Sequence, residues 1–355
     1  MNNIAKIRQA LSEQGFSAIL ISSPASRLFA TGFSSSAGAL LISAHDAWFF
    51  VDSRYIEAAK KAISGAHVLL VSKDDTFPNR INAVLKDNDI SSVGFEDGVV
   101  THAGYLEWNE WFEAELLPAQ KLINDLRAIK TKSDLEYMKK AQRLAEKTFE
   151  EILPLINPKI TEKELAAELV YRMLKNGADD KSFDPIVVAG PRSSLPHGVP
   201  TNERIGDGFL TIDFGVRLDG WCSDTTRTLC IGKPDDEMIK IYDTVLRAQE
   251  AGIKAVHGGA AGCDVDKAAR SIIEKAGYGE YFGHGFGHSL GLEVHESLRA
   301  AQTSKDILPA GAVISAEPGI YIPGKYGVRI EDVLYVTEKG SENITNLPKN
   351  LIVLY

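Results

Sequence analysis

Residues 211–228 read T-I-D-F-G-V-R-L-D-G-W-C-S-D-T-T-R-T, and this stretch predicts a β-hairpin that carries two aspartates. Residues 209–218 and 221–231 are rich in β-branched, aromatic and other apolar residues, which is typical of strands. Asp219-Gly220 stands between them, and Asp-Gly is a dipeptide favoured by two-residue type I′ turns. The sequence therefore fixes both the turn and the two strands that it joins.

The turn also sets the pairing of the two strands. Counting outward from Asp219-Gly220, Asp213 faces Thr226, and Asp224 is the diagonal neighbour of Asp213 on the same face. Diagonal partners lie ~7–8 Å apart at the backbone, close enough for two carboxylates to share bound metal ions. Either aspartate alone would be interpreted as a strand-end or turn residue. Two on one face favour a functional site, although a slip of one residue would separate them.

Further polar residues stand in unusual contexts later in the chain. His284, His288 and His295 fall within twelve residues of the glycine-rich stretch G-H-G-F-G-H-S-L-G-L-E-V-H-E. Glu317 lies in I-S-A-E-P-G, and Glu331 lies in V-R-I-E-D, where an apolar residue would be expected. Acidic side chains in apolar runs are unfavourable unless they are paired or bound to a metal.

Together these segments supply four carboxylates and one imidazole as potential metal ligands, namely Asp213, Asp224, His288, Glu317 and Glu331. Such a set suits borderline-hard divalent ions: Mn is the first expectation, with Co, Zn and Fe as alternatives. Two ions ~3.5–4 Å apart can lower the pKa of a bound water and polarise a carbonyl oxygen. No G-x-S-x-G elbow or papain-type cysteine context offers a competing nucleophile. The sequence therefore predicts a hydrolase that depends on two divalent cations.

Composition limits the other classes of function. The chain has 355 residues, 44% hydrophobic and 25% charged, and a formal net charge of −9, which disfavours nucleic acid or an anionic membrane as a partner. Its three cysteines, Cys222, Cys230 and Cys263, form no C-x-x-C pair and favour reduced thiols. We find no secretory h-region and no run of ~20 apolar residues, so we expect a cytoplasmic protein without a membrane span.

The order of predicted elements indicates two domains. Residues 1–124 alternate helix-like and strand-like segments, which predicts a small α/β domain. Residues 125–355 group their helices and strands, which predicts an α+β catalytic domain. An S-x-x-E capping box at residues 133–136 should open a helix to about Ile152, and a second box at residues 161–164 should open another.

The quoted motifs resemble the "pita-bread" metallopeptidase family of prolidase, aminopeptidase P and methionine aminopeptidase. The resemblance spans nearly the whole chain, because five blocks occur in the family's order, including S-F-D-P-I-V-V-A-G-P-R-S-S-L-P-H-G at residues 182–198 and E-P-G-I-Y at residues 317–321. Upstream, L-F-A-T-G-F and V-D-S-R-Y resemble the N-terminal domain of Xaa-Pro peptidases and creatinase.

The resemblance implies a role for each matching residue. Asp213 would be a terminal ligand of one metal, Asp224 and Glu331 would bridge, and His288 and Glu317 would bind the second metal. Glu317 would also act as general base. The positions that match substrate-contacting or transition-state-stabilising residues are His197, His284, His295 and Arg329.

One position departs from the pattern. Arg299 matches an arginine that holds the C-terminal carboxylate of a dipeptide in small prolidases. The family often has proline just before it, whereas Leu298 stands there in this chain, so the presentation of Arg299 stays open.

The resemblance implies a dinuclear, homodimeric peptidase that cleaves the Xaa-Pro bond at the N-terminus of dipeptides or short peptides, with a slight preference for dipeptides. Methionine aminopeptidase is the nearest alternative, but those enzymes usually lack an N-terminal domain of this kind. A metal-free creatinase-like amidinohydrolase would not need all five ligands. A non-catalytic binding module of this fold would have degraded ligand positions, and here all five are present.

Overall fold

A computed structural model describes residues 2–355, and the chain in it divides into two units, Met1–Arg127 and Ala128–Tyr355. We describe each unit by itself. The predicted α/β and α+β classes are both confirmed, whereas the boundary at residues 124 and 125 stays a prediction. Within residues 2–355, no helix has the length and apolar character that crossing a bilayer would require.

The first unit is built on one mixed six-stranded sheet. Its strands are β1 (Ala18–Ile21), β2 (Ala39–Ser43), β3 (Ala47–Val51), β4 (His67–Leu70), β5 (Ser92–Phe95) and β6 (Glu115–Pro118). Their order across the sheet is β4-β3-β2-β1-β5-β6. The pairs β1–β2 and β2–β3 are antiparallel, and the outer pairs are parallel, as helix crossovers between strands require.

Six helices precede, connect or follow these strands: α1 (Ile4–Gln14), α2 (Pro24–Thr31), α3 (Ile56–Ala62), α4 (Phe77–Asp87), α5 (His102–Trp111) and α6 (Gln120–Ala128). The spacing of Ile4, Ile7 and Leu11, followed by Gly15 as a stop, predicts the first helix, and that helix forms. Ile4, Ile7 and Leu11 share its buried face, and Gly15 ends it in a left-handed conformation with φ of 76°.

The second unit contains four long helices: α7 (Lys132–Ile152), α8 (Glu162–Lys175), α9 (Asp236–Ala255) and α10 (Gly262–Lys275). The capping box predicted at Thr161 and Glu164 is confirmed. The box predicted at Ser133 is wrong, because Thr131 is the N-cap of α7. Its hydroxyl accepts the N–H of Asp134, whose carboxylate accepts the N–H of Thr131. Asp134 therefore takes the place of the glutamate that a capping box usually has, and the helix begins two residues earlier than predicted.

The strands of the second unit are short and mostly antiparallel. They are β7 (Asp180–Lys181), β8 (Ile186–Ala189), β9 (Gly208–Phe214), β10 (Val216–Leu218), β11 (Trp221–Cys222), β12 (Thr225–Ile231), β13 (Gly287–His288), β14 (Arg299–Ala300), β15 (Val313–Ala316), β16 (Gly319–Ile322), β17 (Tyr326–Arg329), β18 (Asp332–Thr337), β19 (Gly340–Asn343) and β20 (Val353–Leu354). The largest sheet has the order β20-β12-β9-β8, and β15, β18 and β19 form another.

The hairpin forms with the predicted register. Leu218 pairs with Trp221, and Asp213 pairs with Thr226. Asp219 and Gly220 have φ angles of 52° and 82°, as a type I′ turn requires. The deciding stretch of sequence therefore places its two aspartates as the turn arithmetic predicts.

Two hydrophobic cores hold the second unit together. One lies against α7 and α8 and contains Leu210, Ile212 and Phe214 of β9, with Phe214 stacked on Phe149 at a ring distance of 5.8 Å. The other lies against α9 and α10 and includes strand residues from β15 to β18, such as Ile314. Because side chains alternate along a strand, the apolar face of β9 in the first core directs Asp213 to the other face.

We predict that Gly215→Ala destabilises the protein by more than the ~1–3 kcal/mol of ordinary overpacking. A Cβ at Gly215 would clash with the backbone carbonyl of Ser223 across the hairpin, where neither strand can move freely. Urea denaturation measures the loss. Gly340→Ala is the matched control, since a Cβ there meets no atom within 4 Å. Equal stability of the two variants would contradict the predicted clash.

Candidate metal centre

The ten predicted site residues line one cavity of about 1180 Å³ in the second unit. They are His197, Asp213, Asp224, His284, His288, His295, Arg299, Glu317, Arg329 and Glu331. A further wall of this cavity is formed by α8, through Ala166, Ala167, Val170 and Tyr171. Residues that are more than 130 positions apart in sequence are therefore brought to one place.

The five predicted ligands all lie at or beside strand ends. Asp213 is the penultimate residue of β9, and Asp224 immediately precedes β12. His288 ends β13, Glu317 follows β15, and Glu331 immediately precedes β18. The strands fix each backbone, while the strand ends leave the side chains free to converge.

Asp224, His288 and Glu331 form the tightest group. One potential ligand atom from each lies within 4.8 Å of the other two, as a shared cation requires. His288 Nδ1 lies 3.3 Å from the carbonyl oxygen of Ser289, to which it can donate. That contact leaves His288 Nε2 facing the carboxylates, 3.6 Å from Asp224 Oδ2 and 3.2 Å from Glu317 Oε1.

Asp213 is held by the guanidinium of Arg329. Arg329 Nη2 lies 2.5 Å from Asp213 Oδ2, and Arg329 Nε donates to Thr226 Oγ1 at 3.1 Å. The Thr226 hydroxyl in turn donates to Glu331 Oε2 at 2.8 Å. Thr226 therefore orients one predicted ligand and the arginine that holds another.

Two buried acceptor atoms test whether a cation fits. Asp213 Oδ1 and Glu331 Oε1 are both buried and have no hydrogen-bond donor among residues 2–355. Buried acceptors without a partner are rare because their desolvation is uncompensated. Both atoms belong to predicted ligands, and carboxylate oxygens with an imidazole nitrogen suit hard or borderline divalent cations. The residues present therefore fit metal binding.

The electrostatics lead to the same conclusion. Burial raises the pKa of Asp224 well above its usual range, and the charges of Glu331, Asp213 and Glu317 raise it further. Burial likewise raises the pKa of Glu331 well above its usual range, followed by repulsion from Glu317 and Asp213. Burial also raises the pKa of Asp213, against the opposing charge of Arg329. Nearby cations would remove this penalty for the ionised forms.

Glu317 differs from the other carboxylates. Burial alone would raise its pKa, but the hydrogen bond and charge of His288, with smaller effects of His284 and Arg329, hold that pKa at about 2. Ser315 Oγ donates to Glu317 Oε1 at 2.9 Å and accepts the backbone N–H of His288 at 3.0 Å. Glu317 is thus an oriented, ionised proton acceptor beside His288.

Tyr321 was given no role by the sequence, although it lies in the quoted E-P-G-I-Y block. Its hydroxyl accepts a hydrogen bond from Arg329 Nη1 at 2.8 Å and lies 2.9 Å from His284 Nε2. Burial raises the pKa of Tyr321 to about 12, so its hydroxyl stays protonated and donates to His284. His284 Nδ1 lies 2.9 Å from the carbonyl of Gly285, which fixes the Nδ1-protonated tautomer.

His295 and His197 are both exposed on the cavity wall. The rings of His295 and His288 have centroids 4.3 Å apart. Burial, then the charges of His288 and Arg299, lower the pKa of His295 to about 4, so it is neutral at pH 7. His197 is exposed where it lines the cavity. Both are therefore accessible to a substrate.

Arg299 is an exposed cation on the cavity wall. Arg299 Nη1 donates to the carbonyls of Glu296 at 2.5 Å and Leu298 at 3.1 Å. These bonds anchor one nitrogen of the guanidinium to its own loop although residue 298 is leucine.

Fold and site together define a protein of two units whose second unit carries a cavity that suits divalent cations. Comparison with known families is more specific. The profile of metallopeptidase family M24 matches residues 136–338, and that of the creatinase/prolidase N-terminal domain matches residues 3–129. The chain belongs to metallopeptidase family M24.

Similar proteins match over nearly their full length. The chain is 35% identical to a Xaa-Pro dipeptidase of Pyrococcus furiosus, covering 98% of this chain and 99% of that protein. A solved Xaa-Pro dipeptidase from Bacillus anthracis is 41% identical, with a TM-score of 0.95 and 99% of each chain covered. A solved X-Pro aminopeptidase from Thermotoga maritima is 35% identical, with a TM-score of 0.93 and full coverage of both chains.

We predict that metal-free protein loses stability relative to its Asp224→Asn variant as pH rises. The pKa of Asp224 is raised on folding, so above the unfolded value of about 4 the folded state binds more protons than the unfolded state. The free energy of unfolding must then decrease with rising pH, and asparagine, which does not titrate, removes this contribution. We expect urea denaturation in the presence of a chelator to show that the free energy of unfolding of the wild type falls progressively relative to that of Asp224→Asn from about pH 5 to about pH 8.

Mn²⁺ supplies the control for this measurement. The cation should stabilise the wild type more than Asp224→Asn at about pH 8, because the predicted ligand Asp224 would bind it as the ionised carboxylate. A difference between the proteins that does not change with pH would contradict the prediction.

Proposed function

We propose that this M24 metallopeptidase hydrolyses the Xaa-Pro bond at the N-terminus of dipeptides or short peptides, with dipeptides slightly preferred. One observation carries the proposal: Asp224, His288 and Glu331 converge in a cavity that Asp213 and Glu317 also line. The Xaa-Pro dipeptidases and the X-Pro aminopeptidase among similar proteins support the substrate class. Arg299 lines the cavity, which supports a preference for dipeptide substrates, since a guanidinium can bind the free carboxylate of a dipeptide.

Two divalent cations would be held by Asp213, Asp224, His288, Glu317 and Glu331. When bound, they would polarise the scissile carbonyl and lower the pKa of the attacking water. We propose Mn²⁺ as the physiological ion, with Co²⁺, Zn²⁺ and Fe²⁺ as alternatives. The oxygen-rich donor set with a single imidazole supports a borderline-hard ion of this kind.

Glu317 is proposed as the general base. Its ionised carboxylate can take a proton from water as the water oxygen adds to the carbonyl carbon. The same proton can then pass to the proline nitrogen as the C–N bond breaks, which gives a carboxylic acid and a secondary amine. The acid then ionises at neutral pH, and its proton is taken up by the amine or by solvent. The hydrogen bond from Ser315 holds Glu317 in place through both transfers.

The histidines and arginines are proposed to bind and orient the peptide. His197, His284 and His295, the last of which is neutral at pH 7, would together contact the substrate and stabilise the tetrahedral intermediate. Arg329 would contribute by holding Asp213 and Tyr321. Arg299 would bind the C-terminal carboxylate of a dipeptide.

The enzyme is further proposed to be a cytoplasmic homodimer. Cys222, Cys230 and Cys263 are free thiols, which supports a reducing compartment. The dimer rests on the family resemblance, and sedimentation of the purified enzyme as a monomer would contradict it.

Asp224→Asn and Glu331→Gln should each reduce kcat/KM for Ala-Pro at least about a hundredfold, as loss of one electrostatic group in a site does. Removal of metal from the wild type with a chelator should reduce kcat/KM by a similar factor, and added Mn²⁺ should restore the activity. Asp219→Asn in the turn of the same hairpin is the matched control, because asparagine suits its φ of 52°. Full activity of the ligand variants would reject the site. Cleavage of Met-Ala but not Ala-Pro would favour a methionine aminopeptidase.

Peptide length is tested by comparing Ala-Pro with Ala-Pro-Ala under Mn²⁺, Co²⁺ and Zn²⁺. We expect Mn²⁺ to support the highest rate and Ala-Pro to be preferred.

Arg299→Gln should raise KM for Ala-Pro roughly tenfold or more, since a charged hydrogen bond contributes about 1.5–3 kcal/mol. Ala-Pro amide, which lacks the carboxylate, should be unaffected by the substitution. An unchanged KM for Ala-Pro would remove Arg299 from carboxylate binding.

A further inference from the structure

The segment that carries His284 and His288 has almost no regular structure of its own. Residues 282–286 form no helix or strand, and β13 contributes only Gly287 and His288. Such a segment has few backbone hydrogen-bond partners within itself, so its conformation must be fixed by contacts from elsewhere.

An ion pair on α10 supplies three of those contacts. Arg270 Nη1 donates to the carbonyl of Phe282 at 2.7 Å, and Nη2 donates to the carbonyl of His284 at 2.6 Å. Asp266 Oδ1 accepts the backbone N–H of Phe286 at 3.0 Å. Three alternate residues of the segment are therefore bound by two side chains one helical turn apart.

The pair itself is rigid and almost fully buried. Arg270 Nε lies 2.7 Å from Asp266 Oδ2, and Nη2 lies 3.0 Å from Oδ1, in a two-point contact between guanidinium and carboxylate. Asp266 is 0% exposed, Arg270 is 7% exposed, and the ring of Phe282 lies 4.0 Å from the guanidinium carbon. A buried pair without further bonds would contribute little stability, so its bonds to the segment account for its presence better than the pairing alone.

The side of the segment that faces away from α10 packs closely against neighbouring backbone. A Cβ at Gly285 would meet the backbone of Ala300, and one at Gly287 would clash with the carbonyl of Ser315. The segment is thus confined between α10 and its neighbouring strands. A change in the α10 contacts must displace the imidazoles, because the glycines cannot move further toward those strands.

We propose that Asp266 and Arg270 are positioning residues that set the imidazoles of His284 and His288 in the metallopeptidase site. The inference rests on the proposed function for the roles of those histidines. Arg270 fixes the carbonyl of His284, and Asp266 fixes the N–H of Phe286. Between them, Gly285 presents the carbonyl that His284 Nδ1 contacts at 2.9 Å. The pair therefore controls the tautomer and direction of one ring and the approach of the other.

The test compares Arg270→Gln and Arg270→Lys with wild type. For folded Arg270→Gln we expect kcat on Ala-Pro and the affinity for Mn²⁺ by calorimetry each to fall about 10- to 100-fold, the usual effect of losing a partner behind a metal ligand. KM should change less than about threefold, because the substrate contacts remain. Arg270→Lys keeps the charge beside Asp266, so its kcat and its affinity for Mn²⁺ should lie between those of wild type and Arg270→Gln.

A second readout does not depend on activity. In metal-free wild type, ¹⁵N NMR should show His284 as the Nδ1-protonated tautomer, and in Arg270→Gln as a mixture of tautomers. If wild type fails to cleave Ala-Pro, the proposed function fails, yet the NMR and Mn²⁺ measurements still decide the positioning.

Arg143→Gln is the matched control. Arg143 pairs with Glu146 on α7, and this pair also binds backbone groups of an irregular segment, at Ile344 and Asn346, which line no part of the cavity. It should lower stability without changing kcat or Mn²⁺ affinity. The proposal is overturned if folded Arg270→Gln matches wild type in kcat, Mn²⁺ affinity and His284 tautomer. If Arg270→Gln does not fold, wild-type values in Arg270→Lys overturn it.

Discussion

Four carboxylates line one cavity, and their mutual repulsion is the constraint that the surrounding side chains of the catalytic unit must offset. Arg329 pairs with Asp213, whose pKa burial still raises, and His288 holds the pKa of Glu317 low. The pKa values of Asp224 and Glu331 are raised well above their usual range. Desolvation makes this arrangement unfavourable without positive charge, and divalent cations supply that charge most compactly. The feature that would destabilise a metal-free protein is the one that makes it a metallopeptidase.

The same unit repeatedly uses buried ion pairs to secure irregular backbone near the cavity. Helix and strand interiors satisfy their own peptide groups, whereas the segments that carry His197, His284 and His295 lack such partners and need side chains to bind them. In each case a buried carboxylate accepts at least one backbone N–H group and pairs with a cationic side chain. The pairs are Glu162–Arg192, Asp266–Arg270 and Lys130–Glu296.

Sequence reasoning succeeded where the rules are local. The Asp-Gly turn gave the register that pairs Asp213 with Thr226, and helical periodicity gave α1 with its stop at Gly15. It was wrong at the start of α7, where a second potential cap two residues upstream was the one used. It gave no role to Tyr321, because a tyrosine in a short apolar strand is ordinary until its hydroxyl is seen between Arg329 and His284.

The sequence by itself determined the chemistry, since four carboxylates and an imidazole in strongly constrained motifs suit few other purposes than divalent metals. It also determined the hairpin, because a two-residue turn permits one register. Only the tertiary structure decided how the charges are shared: which carboxylate meets Arg329, which meets His288, and which two have pKa values raised well above their usual range. Those outcomes depend on burial and on distances between residues far apart in the sequence, such as Asp213 and Arg329, and no local pattern encodes either.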